Sequence, residues 1–587
     1  NVRQFDYHGY SYRNISVDGT FANETFNGKA SIDDPNGKLN LAGTINRSKI
    51  LASLDAQHFN PYNLKLTNAL GNRSFSMKAK ADVTGSDLDH LNGSLDITDF
   101  SAIGEGKSYV VNQLHANVRN NFRHRSADVA SDFGELHLSG VYDYQTLHKS
   151  FLSVLDHHLP SLFPGERRSS GNAFTVHGCL VSAKVLRDIL GIPLHFNGPV
   201  NINGSVNDLV HAIDLNLTAP EVVYNGNHIK NASISISPNT SEQFGSSEGF
   251  TTKDGLQCQI RGERVSDNGT PLAIVLNATA SNDDVTLNGT WDLRGNTHNY
   301  GDLSANVHLF RSAARGLGLS VDVNPSVEVF DTIHVAVQPS HLTYQQNLLN
   351  IDHFEVSNGE QHVSVNGQTT GNENDSLLVD FSNINLKYVL DLVGFNSVKF
   401  TGLVTGRGYV KSFFKSPKAY ANLDIADFRF QGGEFGTLHA KVDYDNNVGR
   451  ININSVADDG PDCYTNIDGY VSIKEHYINL PMVCHNTKLQ FLEGFAGAVL
   501  SNVEATGNGT CRIFGDLSEV NMDGDMISNG DMSITQTNTT YTMHNSHIHI
   551  VPDEIEFAHD SIYDRDGNLG IITGGIHHHN FHQWTFD

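Results

Sequence analysis

The chain has 587 residues, which is too many for one compact core, so several domains or one long repeating structure are expected. Its 39 basic and 65 acidic residues give a formal net charge of −26. A nucleic-acid-binding protein needs a basic surface that displaces counterions from phosphates, so this charge excludes that class. The 53 glycines far outnumber the 15 prolines, which favours many tight turns over proline-rich linkers.

Alternation of aliphatic and small polar residues dominates the chain. The segment Val200-Asn201-Ile202-Asn203 is typical. Because successive side chains of a strand point to opposite faces, a period of two predicts half-buried strands. Asn-Gly pairs separate these segments and predict hairpin turns. The pairs lie at residues 27–28, 36–37, 225–226, 288–289, 358–359 and 529–530.

Few helices are predicted, and all are short. In chain order, a weak candidate covers residues 47–54, and a second covers about 145–158 and ends before Pro160. Ser182 caps a third, which ends at Gly191, and Asn385 caps a fourth, which runs to Val393 before Gly394. Helices of this length can cap or plug a sheet but cannot cover one several hundred residues long.

Motifs that carry chemistry are missing from the sequence. There is no GxSxG nucleophile elbow, no HExxH, no P-loop and no GxGxxG that opens a helix, and no acid–base pair can be nominated. We therefore expect no enzyme, no catalytic residue and no cofactor. No window approaches the roughly 20 apolar residues of a membrane span.

Histidines cluster twice near the end of the chain, at His544-x2-His547-x-His549 and at His577-His578-His579-x2-His582. A zinc or copper site is one interpretation, but no acidic or cysteine ligand stands at consistent spacing beside them. We favour solvent-facing strand histidines and expect no metal site. The roughly fifteen Asn-x-Ser/Thr sequons are likewise expected from a polar face rich in Asn, Ser and Thr.

The five cysteines are an odd number without a CxxC pair. Cys463 and Cys484 are the one local pair that could form a disulfide. The alternative, which we favour, is that all five are small apolar residues in strands.

Several weak motifs follow one another in a characteristic order. They are Phe5-Asp-Tyr7-His-Gly9-Tyr10, Phe381-Ser-Asn-Ile384-Asn-Leu386, Phe400-Thr-Gly402, Val442-Asp443-Tyr444, Asn538-Thr-Thr-Tyr541, Ile555-Glu-Phe557 and Gly574-Gly-Ile576-His577. In this order they resemble the inner repeats of the TamB family of AsmA-like translocation and assembly proteins, in the form found in Bacteroidetes.

The resemblance implies a fold, a location and partners. Members of the family have an inner-membrane anchor and a long periplasmic β-sheet that curls into an apolar groove. Their C-terminal domain reaches toward an outer-membrane barrel protein of the BamA/TamA type. They are implicated in outer-membrane protein assembly and in phospholipid transfer between the membranes. This chain starts at Asn1 without Met and ends at Asp587 directly after a strand-like run, so we interpret it as a periplasmic segment of an anchored parent protein.

The fold class expected is therefore mainly β, an elongated and curled antiparallel, solenoid-like sheet groove with a few short amphipathic helices. Three parts are expected: N-terminal groove repeats at 1–180, middle repeats at 181–380 and C-terminal repeats at 381–587. Acyl chains of phospholipids would lie on the alternating aliphatics. The candidate lining residues are Val200, Ile202, Leu215, Leu217, Val363, Val365, Ile451 and Ile453.

Two alternatives remain open. A structural or adhesive β-solenoid at the cell surface would have a closed and dry interior instead of a groove. A carbohydrate-active β-helix enzyme would need clustered carboxylates on one exposed face, which these strands do not supply.

Overall fold

A computed structural model describes residues 1–104, 106–121, 124–165, 169–183, 194–224, 227–243, 251–265, 271–295, 298–370, 375–392, 398–579 and 582–586. They form two compact units. Unit 1 comprises residues 1–311 and 328–332, and unit 2 comprises residues 312–327 and 333–587. The three-part division at 180 and 380 stays a prediction.

Antiparallel strands make up most of both units, which confirms the mainly β fold. The strands, in chain order, are β1 (Val2–Tyr7), β2 (Tyr10–Ala22), β3 (Thr25–Asp34), β4 (Gly37–Ile45), β5 (Lys49–Phe59), β6 (Ser74–Thr84), β7 (Asn92–Gly104), β8 (Lys107–Asn121), β9 (His124–Ser131), β10 (Gly134–Val141), β11 (Ala173–Leu180), β12 (Leu194–Asn197), β13 (Val200–Asn207), β14 (Ala212–Tyr224), β15 (Asn227–Gln243), β16 (Thr251–Val265), β17 (Pro271–Ser281), β18 (Asp284–Arg294), β19 (His298–Ser312), β20 (Gly316–Val323), β21 (Ser326–Phe330), β22 (Ile333–Val337), β23 (Ser340–Gln345), β24 (Leu348–Asn358), β25 (Gln361–Thr369), β26 (Ser376–Asn385), β27 (Phe400–Lys411), β28 (Lys418–Phe430), β29 (Gly433–Glu434), β30 (Thr437–Asp445), β31 (Arg450–Asp458), β32 (Tyr464–Ser472), β33 (Tyr477–Lys488), β34 (Leu500–Asp516), β35 (Glu519–Ile534), β36 (Thr539–Val551), β37 (Glu554–Tyr563), β38 (Leu569–His579) and β39 (His582–Phe586).

Pairing in both units is mainly between strands that follow one another in the chain. In unit 1, for example, β13 pairs with β14, which pairs with β15, which pairs with β16. In unit 2 the same holds from β30 through β39. Hairpin follows hairpin, as the short spacing of turn signals predicts.

Three α-helices interrupt the described strands: α1 (Leu147–His158), α2 (Leu386–Leu392) and α3 (Phe491–Ala496). The first two confirm their predictions, and the Asn385 side chain accepts a hydrogen bond from the Lys387 amide at 3.0 Å, as a cap should. The helix predicted at 47–54 is wrong, because β5 occupies that segment and pairs on both sides. The helix predicted after Ser182 lies outside the described residues. No helix in the described ranges is long and apolar enough to cross a membrane.

Only some of the Asn-Gly pairs form turns. The pairs at 36–37 and 358–359 lie at hairpin turns, whereas those at 27–28, 288–289 and 529–530 lie inside β3, β18 and β35. The pair at 225–226 falls outside the described residues. Inside β3, glycine is required for a different reason: a Cβ on Gly28 would stand 2.4 Å from the Cα of Gly19 on β2. Glycine therefore permits a close approach of two strands there.

Unit 2 has a large and sealed core. Buried apolar side chains from β27 to β38 belong to one cluster, so strands far apart in the chain share one interior and the sheet of this unit curls around it. Helix α3 closes part of the cluster: Phe491 is 1% exposed, and its ring lies 5.5 Å from that of Phe430 and 5.8 Å from that of Phe435.

Unit 1 has a much smaller buried cluster. It consists of Val154 on α1 with Val206, Ile213 and Leu256 on the sheet. Phe151 and Leu155, also on α1, pack against it. Helix α1 therefore covers a small part of one face of this sheet.

The sealed core gives a stability prediction. We expect Phe491→Ala to lower the free energy of unfolding by about 3–5 kcal/mol, because it opens a cavity in a core that packs on it from several strands. The control is Phe413→Ala, since Phe413 is 45% exposed and its loss should change stability by less than about 1 kcal/mol. Urea unfolding followed by circular dichroism measures both, and equal effects would contradict a sealed core around α3.

Candidate apolar binding face

One face of the unit 1 sheet carries two unbroken rows of apolar residues that run across the strands. Each residue stands directly opposite the next in the antiparallel register. The first row is Gly19, Gly28, Gly43, Ala52, Ala81, Leu95, Ala116, Val129, Leu136, Gly178, Ile202, Leu217, Ile234, Ile260, Leu276, Gly289 and Leu303. We call this surface the apolar face.

The second row lies two residues away along each strand, on the same face. It is Phe21, Phe26, Ile45, Ile50, Val83, Gly93, Val118, Ala127, Leu138, Val176, Gly204, Leu215, Ile236, Cys258, Ala278, Leu287 and Ala305. Neither row contains a charged residue. Seventeen strands spaced about 4.8 Å apart give each row a contour of roughly 80 Å.

Part of the apolar face is open to solvent and part is covered among the residues that the structure describes. Leu215 and Ile236 in the second row pack against the buried cluster that α1 covers, and Leu138 is 9% exposed. Ile234, Ile260 and Leu303 in the first row are 37%, 41% and 51% exposed. In unit 2, by contrast, apolar strand residues of the large cluster are buried; Met482, for example, is 4% exposed. Exposed aliphatics in a continuous patch indicate a binding surface rather than a finished core.

The opposite face of the same strands is polar. One of its rows, between the two apolar rows, reads Asn203, Asn216, Ser235, Gln259, Asn277, Asn288 and Ser304. Shallow depressions in the unit 1 surface lie on this side, and one of them has a volume of about 500 Å³ beside Lys29, Lys78 and Lys80. Across β13 to β19 the two faces thus differ in chemistry.

The eight predicted lining residues fall into two sets of four, and all of them are half-buried. In unit 1, Ile202 and Leu217 are direct cross-strand partners in the first row, and Leu215 belongs to the second row. Val200 stands opposite Leu180 on the same face. These four lie together on the apolar face, where Leu215 packs against the buried cluster that α1 covers.

The other four lie in unit 2. Val363 and Val365 stand opposite Phe381 and Val379. Ile451 and Ile453 lie on β31, and Ile453 packs against the sealed core. A role for Ile453 in lining an open groove is therefore less well supported than one for Ile202.

Most residues of the apolar face are not among the eight predicted lining residues. Gly19, Gly28 and Gly43 form its first three positions in direct register, and Ile234 and Ile260 lie in its exposed part. The signal that could have found them is the same period of two, since each lies two residues from another apolar or small residue on its strand. Choosing them required the register between strands.

Histidines in both units pair with carboxylates on the neighbouring strand. In each pair the imidazole Nδ1 hydrogen-bonds the aspartate opposite. The pairs are Asp96–His115, Asp128–His137, Asp284–His308, Asp322–His341, Asp424–His439 and Asp525–His549. His547 also lies near Asp525, at 3.9 Å. The pairs are solvent-exposed, so each contributes little to stability.

The disulfide considered between Cys463 and Cys484 does not form, and all five cysteines are free thiols. Cys484 faces the sealed core opposite Thr465, whereas the Cys463 thiol donates to the Asn486 carbonyl at 3.2 Å. Burial raises the pKa of the Cys484 thiol and raises that of the Cys511 thiol further. Both are therefore poor nucleophiles in the folded protein.

The chain matches no protein-family model and no curated protein. The resemblance to the TamB family thus stays a prediction from the order of its motifs.

Open apolar rows predict binding of an apolar dye. We expect Ile260→Glu to reduce the fluorescence of bound 8-anilinonaphthalene-1-sulfonate several-fold, because a carboxylate interrupts the exposed part of the first row. Gln257→Glu is the matched control, since Gln257 lies on the same strand and is exposed on the polar face. Equal dye binding by the two variants would contradict the assignment of the faces.

The free thiols predict a pattern of alkylation. At pH 8, iodoacetamide should modify all five thiols of the unfolded protein without any reducing agent, because no disulfide has to be broken first. In folded protein Cys484 and Cys511 should react far more slowly than Cys463, because both are buried, which blocks access of the reagent, whereas Cys463 is half-buried. Peptide mass spectrometry measures each site. Fast modification of Cys511 in folded protein would contradict the sealed core of unit 2.

Proposed function

We propose that the apolar face binds the acyl chains of phospholipids and lets them move along its rows between membranes. The observation that carries the proposal is the unbroken pair of apolar rows across seventeen strands, with exposed aliphatics such as Ile260 and Leu303. Transfer of one methylene from water to such a surface is worth about 0.8 kcal/mol, so a lipid tail binds without a specific polar group.

The chemistry of the face suits a lipid tail better than a folded partner. The backbone amides and carbonyls of the paired strands are used in cross-strand hydrogen bonds, so the face offers apolar contact and little else. Apolar contact is sufficient for an acyl chain, because it has no group that needs a hydrogen-bond partner. A protein partner of ordinary kind would bring polar groups that lose water without gaining hydrogen bonds.

The uniformity of the rows favours movement over storage. Along the exposed part, Ile234, Ile260 and Leu276 follow one another with no charged or polar interruption. A tail that shifts by one strand therefore leaves one aliphatic for another of similar size, without crossing a polar barrier. This is the arrangement expected of a conduit.

The resemblance to the TamB family supports the same proposal and extends it. By that resemblance the chain is a periplasmic segment of a protein anchored in the inner membrane. It would meet an outer-membrane barrel protein of the BamA/TamA type and support outer-membrane protein assembly. We propose no enzymatic activity, since the conduit needs no reacting group.

A structural role is the second candidate, and the core of unit 2 is the observation that favours it. From β27 to β38 the apolar side chains are buried among themselves, as in a closed β-solenoid. Among the described residues, the largest buried apolar cluster belongs to this part of the chain. A surface or adhesion protein would be expected to close unit 1 in the same way.

Lipid mass spectrometry of the purified chain tests the proposal. We expect phospholipid to co-purify with the wild-type chain and to fall several-fold in Leu217→Glu, because the carboxylate breaks the first row between Ile202 and Ile234. Asn216→Glu is the matched control, since it puts the same charge one residue away on the polar face.

Two results would reject the lipid proposal. One is the absence of phospholipid from the wild-type protein after extraction without detergent. The other is an equal loss in Leu217→Glu and Asn216→Glu, which would assign the effect to net charge rather than to the apolar face. Circular dichroism of both variants checks that the sheet remains folded.

A further inference from the structure

Four side chains with metal-binding chemistry form a two-by-two array on the polar face of unit 1. Glu135 and His137 lie two residues apart on β10, and His177 and Cys179 lie two residues apart on β11. The register places Glu135 opposite Cys179 and His137 opposite His177. All four therefore point to the same side of two paired strands.

The array lies in a depression of about 480 Å³, which these four residues line together with His115 and Asp128. Glu135, His137 and His177 are exposed and Cys179 is half-buried, so an ion has access from solvent. The rings of His137 and His177 are stacked with their centroids 6.4 Å apart. Two imidazoles at about this distance can share one ion after small side-chain rotations.

A carboxylate already orients one of the rings. The His137 Nδ1 atom hydrogen-bonds Asp128 on β9, which leaves Nε2 as the atom that faces away from that contact. Metal-binding histidines usually have their second nitrogen held by a carboxylate in this manner. Asp128 is thus a positioning residue, because it orients the His137 ring beside the array.

We propose that Glu135, His137, His177 and Cys179 bind one divalent ion of the zinc class. Two neutral imidazoles, a thiolate and a carboxylate make up a four-coordinate set that zinc accepts. Binding releases the thiol proton of Cys179 to solvent. Within the described residues no three such groups already converge on one point, so the side chains must rotate onto the ion while the strand backbones stay in place.

The combination of ligands distinguishes this place from the other histidine pairs. At Asp284–His308 the same cross-strand hydrogen bond forms, but the residues two positions from His308 on its strand are Asn306 and Phe310. A single histidine–aspartate pair of this kind offers one imidazole and one carboxylate. The array adds a second imidazole and a thiolate.

Cobalt(II) titration of the full chain, reduced beforehand, tests the proposal. A thiolate ligand gives cobalt a near-ultraviolet charge-transfer band, and tetrahedral coordination gives strong visible bands. We expect both to saturate at one cobalt per chain and to disappear on addition of zinc. The bands should be lost in Cys179→Ser and in His137→Ala, and Asp128→Asn should weaken zinc binding by about 10- to 100-fold.

Two control variants separate the array from adventitious sites on a histidine-rich surface. His308→Ala removes a histidine in the same type of pair, and Cys463→Ser removes another half-buried thiol. Both should keep the bands. The proposal is overturned if the wild-type chain gives no thiolate band, if the band survives in Cys179→Ser, or if His308→Ala loses it equally. Circular dichroism confirms that each variant remains folded.

Discussion

The cross-strand register is the constraint on which the rest of the structure depends. In unit 1 each strand meets the next so that apolar residues stand opposite apolar ones, as Ile202 meets Leu217 and Leu217 meets Ile234. A slip of one residue would turn every side chain of a strand to the other face. Because all later strands build on that pairing, one slip would interrupt both apolar rows and the polar rows between them.

Covering elements decide whether an apolar face becomes a core or a surface. In unit 2 the sheet curls around one buried cluster, and α3 adds Phe491 and Phe495 to it. In unit 1 helix α1 contributes Val154 to a cluster with only three buried sheet residues. The same alternating strands therefore produce a buried interior in one unit and a partly exposed apolar face in the other. This difference is the reason why the proposed lipid binding is assigned to unit 1.

Local features of the fold were predictable, and long-range ones were not. Alternation identified the strands, and the apolar stripe of residues 145–158 with Pro160 identified α1, because both signals lie within a few residues. The pair Asn27-Gly28 predicts a turn, but it lies inside β3. Glycine is needed at position 28 because the backbone of Gly19 on β2 approaches it closely. The segment of β5 fits a short helix equally well, because a short apolar run is compatible with the period of a helix and with that of a strand. Only its pairing with β4 and β6 shows that it is a strand.

The candidate sites depend on the same distinction. Individual members of the apolar face, such as Leu215 and Leu217, follow from their own strand, but the rows exist only through pairing. The pairs Glu135-x-His137 and His177-x-Cys179 are each visible in the sequence, but α1 separates the two pairs in the chain, so no spacing rule could bring them together. That array required the register of β10 with β11.

The length of the apolar face depends on the number of hairpins in the sheet. Each hairpin adds two strands and returns the chain to the same direction with the same residues facing the same side. Gain or loss of a whole hairpin would therefore lengthen or shorten the surface without disturbing the pairing on either side, much as in repeat proteins whose units contact only their neighbours. Under the proposed function, the number of hairpins would set the length over which the apolar face can carry a lipid tail.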